Sequence, residues 1–138
     1  MSSAAFVLDP RLAAATCPVT SLLLCDVLLM NDARYPWLIL VPRQAHRVEI
    51  ADLEHDDQAA LWLDVNHAAA ALRLVAPCEK LNIGALGIIV RQLHIHVVAR
   101  NQGDPAWPGP VWGHGKAESY RLPARETLID DLRNALAA

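Results

Sequence analysis

Apolar runs and short polar breaks alternate through the first third of the chain. Residues 21–30 read SLLLCDVLLM, a run dense in Leu and Val that predicts a mostly buried strand. Asn31 to Arg34 predict a turn, because Asn and Asp favour turns. The run WLILV at 37–41 predicts a second strand that ends at Pro42. Two apolar runs joined by a short polar turn indicate an antiparallel hairpin.

A long amphipathic helix is predicted over residues 52–76. Asp52 is a suitable N-cap, and the acidic residues that follow suit the positive end of the helix dipole. The residues at helical spacing on one face are Leu61, Val65, Ala68, Leu72 and Val75. Pro77 ends the helix.

Shorter segments complete the predicted chain. They are a helix capped by Asp9, strands at 80–86 and 91–100, a loop rich in Gly and Pro at 103–115, and a short helix at 128–136. The order of a strand pair, a helix, a strand pair and a final helix predicts an α+β fold on an antiparallel sheet. We expect one domain over 1–138, with its core at about 20–113 and a C-terminal tail at 114–138.

Composition and charge narrow the classes of protein that this chain can be. The hydrophobic fraction of 54% argues against disorder and leaves apolar surface that makes a homodimer plausible. The net charge of -3 indicates no excess of positive charge that could bind the backbone of a nucleic acid, although it is compatible with a small anionic ligand. We therefore expect no nucleic-acid partner.

Cysteine usage and the N-terminal segment indicate a reducing compartment. Cys17, Cys25 and Cys78 are odd in number and widely spaced, so neither a disulfide framework nor a zinc knuckle follows. The N-terminal segment lacks the features of a signal peptide, and no apolar run approaches the ~20 residues that span a bilayer. We expect a cytoplasmic protein with no membrane partner.

The segment QLHIHVVAR at 92–100 carries the candidate chemistry. Its alternation of polar and apolar residues is typical of a half-buried strand, which predicts that Gln92, His94 and His96 share one face. A neutral imidazole is a good nucleophile near pH 7 and can attack phosphorus. The second histidine, about 6.5 Å further along the face, can contact a phosphate oxygen, and a Gln can donate and accept.

The spacing alone leaves three interpretations open. They are phosphate chemistry, a metal site that uses the two imidazoles as ligands, and no site at all. No convincing third ligand lies nearby in the sequence. Trp107 and Trp112 are candidates either for core packing or for covering a base.

The segment QLHIHVVAR resembles the signature of the histidine-triad (HIT) family, in which three histidines alternate with apolar residues. The preceding hairpin with its Val-Pro-basic stretch, LNIGALG, and Trp107-Pro108-Gly109 resemble other parts of that family over roughly 20–113. The resemblance implies a sheet of about five antiparallel strands with one long helix and a short C-terminal helix. It also implies pairing into a homodimer.

The resemblance also implies roles for individual residues. His94 matches the nucleophile that attacks the α-phosphorus, His96 matches the histidine on the phosphate oxygens, and Gln92 stands in place of the first histidine. The residues implied to bind substrate are Asn31 and Asp32 at the ribose, Asn82 near the phosphate, and Gly87, which lets the backbone approach the phosphates.

The implied activity is that of a nucleotide hydrolase or transferase. It would act on a purine dinucleoside polyphosphate or nucleoside phosphoramidate through a nucleotidyl-histidine. The protein would require no cofactor, although Mg²⁺ could accompany the substrate. Gln92, Trp37, Ile88 and Ile89 depart from the family pattern and remove proton-handling or donor groups. A nucleotide-binding module with weak or lost activity is therefore the alternative.

Overall fold

Within residues 5–138, which the computed structural model describes, five antiparallel strands form one sheet. The strands are β1 (Thr16–Ser21), β2 (Cys25–Met30), β3 (Trp37–Pro42), β4 (Lys80–Gly84) and β5 (Ile95–Arg100). Their order across the sheet is β1-β2-β3-β5-β4, and every neighbouring pair is antiparallel. The predicted α+β fold on an antiparallel sheet is confirmed.

In the described part of the chain, three helices accompany the sheet, together with one turn of 3-10 helix at Ile50–Asp52. They are α1 (Pro10–Ala15), α2 (His55–Val75) and α3 (Leu122–Ala137). Within residues 5–138, none of them combines the length and hydrophobicity that crossing a bilayer requires. Residues 1–4, which belong to the N-terminal segment without signal-peptide features, lie outside the described part of the chain.

The predicted hairpin is confirmed, but its first strand is shorter than expected. Strands β2 and β3 pair antiparallel, with Leu29 opposite Leu38. Residues 21–24 are not part of β2, because the chain turns there and β1 precedes the turn. Two amides at that turn, those of Leu24 and Cys25, donate to one carboxylate oxygen of Asp64, at 2.8 and 2.9 Å. Asp64 is buried in α2, so a helix residue determines where the strand breaks.

The long helix begins three residues later than predicted and ends close to the expected point. Its N-cap is Glu54 rather than Asp52, and its last residue is Val75, just before Pro77. The carboxylate of Asp52 instead accepts the amides of Val48 and Glu49 in the preceding turn. Leu61, Val65, Ala68 and Leu72 are fully buried, as their spacing predicted.

The two faces of the sheet are covered differently. Helices α2 and α3 pack on one face, where α3 contributes Ile129, Leu132 and Leu136 to the core. The C-terminal helix begins at Leu122 rather than at 128, because Pro123 is accepted in the first helical turn. The other face is covered by Leu12 of α1 and by Ala106 and Val111 of the loop after β5. The two histidines lie on this second face.

Candidate active site

The two histidines of the QLHIH segment lie side by side on the face of the sheet opposite α2. Leu93, Ile95 and Val97 enter the core beneath the helices, so the intervening side chains turn the other way. The rings of His94 and His96 are 4.9 Å apart between centroids, and each residue is 6% exposed. The predicted alternation of the two histidines with apolar core residues is confirmed.

The ring of His94 has one nitrogen committed to the backbone. Its Nδ1 lies 2.7 Å from the carbonyl oxygen of Gln92. A carbonyl oxygen can only accept, so Nδ1 carries the hydrogen and donates it. In the neutral ring, Nε2 of His94 therefore has no hydrogen and keeps a free lone pair.

The ring of His96 is held in the opposite tautomer. Its Nδ1 accepts a hydrogen bond of 3.0 Å from the indole nitrogen of Trp37. An indole N–H can only donate, so the hydrogen of neutral His96 is on Nε2. Burial, and secondly the nearby His94, lower the pKa of His96 from 6.5 to about 3. His96 therefore remains a neutral donor at physiological pH.

The side chain of Gln92 does not join the two histidines. Its Oε1 accepts from the amide of Asp9 at 2.8 Å, and its Nε2 donates to the carbonyl of Val7 at 2.9 Å. The prediction that three polar side chains share one strand face is wrong at this position. The physical reason is that Gln92 lies three residues before β5 begins, and the free backbone groups of Val7 and Asp9 bind its side-chain amide instead.

A cavity of about 440 Å³ opens in front of the histidine pair. Gly87 and Ile89, from the loop between β4 and β5, lie on its wall together with His94 and His96. The φ angle of Gly87 is 67°, a backbone conformation that favours glycine. Gly87 thus lines the same cavity as the two histidines.

The loop that carries Gly87 is fastened to α1 by Arg11. Its Nη1 donates to the carbonyl of Ile89 at 3.0 Å. Its Nε and Nη2 donate to the carboxylate of Asp9, at 3.2 and 3.0 Å. Each of the three guanidinium nitrogens thereby makes one hydrogen bond, and α1 and the loop form one wall of the cavity.

Three of the predicted substrate-binding residues lie outside the lining of this cavity. The side-chain oxygen of Asn31 accepts from the amide of Tyr120 at 3.0 Å. Buried Asp32 forms an ion pair of 2.9 Å with Arg34. The side-chain oxygen of Asn82 accepts from Arg100 at 2.7 Å. The structure therefore does not bring these residues to the histidines, because neighbouring segments use their polar groups.

Sequence reasoning misjudged one aromatic residue at the site and left the role of another open. Trp37 was expected only to remove a partner, yet its indole is the donor that orients His96. Trp112 lies against His96, with centroids 5.4 Å apart, and against Trp37 at 6.4 Å. Gly84 makes room for it, because a Cβ at Gly84 would lie 3.4 Å from the Trp112 ring. Trp107 instead lies beneath the guanidinium of Arg100.

A metal site built on the histidine pair has little support in this geometry. Both Nδ1 atoms are engaged in hydrogen bonds, one with a carbonyl and one with an indole N–H. Among residues 5–138, no three His, Cys, Asp or Glu side chains cluster in a way that could hold an ion. What the arrangement offers is one free imidazole lone pair beside one oriented N–H donor.

The sequence and the structure of this chain are similar to those of known proteins. A sequence model of the HIT domain matches residues 19–103. A histidine-triad protein from Sinorhizobium meliloti 1021 shares 50% identity, with 94% of this chain and 96% of that chain covered and a TM-score of 0.92. Among proteins with curated descriptions, none matches significantly.

Two further solved structures are similar. A histidine-triad protein from Bradyrhizobium japonicum shares 42% identity over 96% of this chain and 99% of that chain, with a TM-score of 0.94. One from Marinobacter aquaeolei VT8 shares 40% identity over 97% and 98%, also with a TM-score of 0.94. The likeness therefore extends over nearly the whole of each chain.

Proposed function

This chain belongs to the HIT family, and from that premise we propose that it is a nucleotide hydrolase or transferase whose nucleophile is Nε2 of His94. The observation that carries the proposal is the pair of opposite tautomers. His94 has its free lone pair on Nε2, whereas His96 has its hydrogen there. A nucleophile and a donor side by side suit one phosphorus atom and one of its oxygens.

The proposed reaction takes place in two displacements at the α-phosphorus of a nucleoside phosphate. Nε2 of His94 forms a bond to phosphorus, and the leaving group departs with the electron pair of its own bond. Water then attacks the same phosphorus and releases a proton to solvent, and the electron pair of the Nε2–P bond returns to the imidazole. Covalent catalysis of this kind divides one difficult step into two easier ones.

In the proposed reaction, the groups around the two rings stabilise the charges that develop. Imidazole becomes positively charged when Nε2 bonds phosphorus, and the carbonyl of Gln92, already bonded to Nδ1–H, stabilises that charge. The Nε2–H of His96 donates to a phosphate oxygen, where negative charge develops. Gly87 lets the loop backbone approach the phosphate. We assign no substrate contact to Asn31, Asp32 or Asn82. Magnesium, where present, would arrive with the substrate's phosphates.

Trapping the intermediate is the direct test. The protein is incubated with an adenine nucleotide that is radiolabelled at the α-phosphate, and an acid-labile adduct on His94 is sought by mass spectrometry. His94→Ala abolishes the adduct and turnover, whereas His55→Ala, at the exposed first residue of α2, leaves both intact. Nucleotide binding without adduct or turnover would instead favour the non-catalytic binding module.

We also propose that two copies of the chain form a homodimer. Leu63 and Leu74 on α2 are 65% and 73% exposed, which leaves apolar surface on the outer side of that helix. Analytical ultracentrifugation measures the molar mass in solution. A mass of one chain of 15.1 kDa across the micromolar range contradicts this part of the proposal.

A further inference from the structure

Two large aliphatic side chains stand exposed at the mouth of the histidine cavity. Ile88 and Ile89 are 85% and 79% exposed, and both line the cavity wall. Leu86 of the same loop lines it as well and is 45% exposed. Contiguous apolar side chains that water covers at the rim of a site favour contact with an apolar ligand group.

The cavity has almost no charge with which to hold a second phosphate. Among the described residues, Arg11 is the only charged side chain in its lining. Its three guanidinium nitrogens are already bonded to Asp9 and to the carbonyl of Ile89. Apart from the uncharged indoles of Trp37 and Trp112, the remaining polar side chains on the wall are the two histidines, which hold one phosphate in the proposed function.

The exposed aliphatic side chains and the scarcity of positive charge favour the same kind of leaving group. A polyphosphate chain brings several negative charges, and desolvating them without a cationic partner is unfavourable. An apolar group placed against an exposed isoleucine removes apolar surface from water, which is favourable. Discrimination therefore arises from a gain for apolar groups and a loss for charged ones.

We infer that Ile88 and Ile89 form a leaving-group subsite that selects nucleoside monophosphates joined to an uncharged, apolar amine, and that disfavours dinucleoside polyphosphates. This inference rests on the proposed function, since it names the substrate class of the same site. The specificity-determining feature is the aliphatic pair beside Gly87.

The reaction on such a substrate balances with water as the only other reactant. The lone pair of His94 Nε2 forms the new N–P bond, and the P–N bond to the amine breaks. Its electron pair stays on the amine nitrogen, which takes a proton from solvent. Water then forms the P–O bond, its proton returns to solvent, and the imidazole recovers its lone pair. The products are the nucleoside monophosphate and the free amine, with no change of oxidation state.

Three substrates with the same adenylyl group separate the leaving-group effect from the rest. They are adenosine 5′-phosphoramidate, its N-phenethyl derivative and diadenosine triphosphate. We expect kcat/KM for the phenethyl compound to exceed that for the unsubstituted one about tenfold, as one buried hydrocarbon contact allows. We expect it to exceed that for diadenosine triphosphate about 100-fold. Equal or faster cleavage of diadenosine triphosphate overturns the inference.

The double substitution Ile88→Gln with Ile89→Ser tests the residues themselves. We expect the phenethyl-to-unsubstituted ratio of kcat/KM to fall about tenfold, because polar side chains replace the aliphatic contact. Leu23→Gln is the matched control, since Leu23 is also exposed, at 74%, but lies in the turn between β1 and β2. An unchanged ratio in the double variant contradicts the assignment.

If the protein turns over none of these substrates, the proposed function is contradicted, but the apolar subsite can still be tested by measuring ligand binding. Calorimetry on the wild-type protein then compares AMP with N-phenethyl adenosine 5′-phosphoramidate. Tighter binding of the phenethyl compound by about tenfold, lost in the double variant, supports the apolar subsite. Equal affinities for the two ligands overturn it.

Discussion

The indole nitrogen of Trp37 donates a hydrogen bond of 3.0 Å to Nδ1 of His96 across two neighbouring strands. Trp37 lies opposite Val98 on β5, two residues from His96 on the same face of the sheet, which brings the long indole to the imidazole. The contact decides which nitrogen of His96 carries the hydrogen. A residue whose type departs from the family pattern thus provides an orienting donor.

Replacing Trp37 with Phe should reduce turnover and change its pH dependence. Without the indole N–H, the hydrogen of neutral His96 can move to Nδ1 and leave Nε2 without a donor. The smaller Phe ring also lessens the burial that lowers the pKa of His96, so this pKa rises from about 3 towards 6.5. We expect kcat to fall about 10- to 100-fold at neutral pH. A new decline in kcat should appear below pH 6.5.

A pH–rate profile of both proteins measures this. Trp62→Phe serves as the control, because Trp62 is exposed on α2, on the other side of the sheet. The orienting role of Trp37 is refuted if its Phe variant loses rate equally at every pH.

Acidification should destabilise the fold through His96. Between about pH 6.5 and 3, the unfolded chain binds a proton at His96 that the folded chain does not bind. The free energy of unfolding should therefore decrease by about 1.4 kcal/mol per pH unit as the pH falls through this range.

Urea denaturation at pH 7.0, 6.0 and 5.0 isolates the contribution of His96. Burial raises the pKa of Asp32, but its hydrogen bonds with Arg34 hold that pKa below 3.8, and Arg100 likewise lowers the pKa of Asp104. Both carboxylates therefore affect stability only near and below pH 3.8. His96→Gln should lose most of the slope above pH 5, and His55→Gln, exposed on α2, should retain it. Equal slopes in the wild type and His96→Gln would count against a buried neutral imidazole.

Asp64 should be among the larger contributors to stability outside the site. Its Oδ2 accepts the amides of Leu24 and Cys25, and Ala would leave both donors without a partner. We expect Asp64→Ala to lower the free energy of unfolding by about 3 kcal/mol, and Asp64→Asn by about 1 kcal/mol, since an amide oxygen can still accept. Chemical denaturation measures both.

Asp56→Ala is the matched control for this measurement, because Asp56 is exposed on the same helix. Similar losses in Asp64→Ala and Asp56→Ala would show that the turn does not depend on the carboxylate.

Gln92 should fasten the N-terminal segment rather than take part in the chemistry. Gln92→Ala removes its hydrogen bonds to Asp9 and Val7. We expect hydrogen exchange at the Asp9 amide to accelerate about tenfold, as the loss of roughly one hydrogen bond allows. Mass spectrometry of peptides from the first fifteen residues detects the change.

The neighbouring variant Arg91→Ala, at an exposed position, should leave exchange at Asp9 unchanged. If the Asp9 amide exchanges at the wild-type rate in Gln92→Ala, the fastening role is wrong.

Local patterns were sufficient for much of the fold. The hairpin of β2 and β3, most of α2, and the cap of Asp9 on α1 follow from the period of apolar residues and from capping preferences. Strand β1 was missed, because Cys17, Pro18 and Thr20 show no regular alternation. Its pairing with β2 and the carboxylate of Asp64 define it, and both are contacts between distant parts of the chain.

The site, too, has features that the local sequence pattern predicts and features that depend on distant contacts. Alternation along the segment from 93 to 97 determined that His94 and His96 share a face opposite the core, because successive side chains of an extended chain point to opposite sides. Other hydrogen bonds of the predicted site residues join partners that are 59 to 89 residues apart in the sequence. They are those of Gln92 with Asp9, of Asn31 with Tyr120, and of Trp37 with His96. Hydrogen bonding over such separations has no local pattern, so only the tertiary structure decided it.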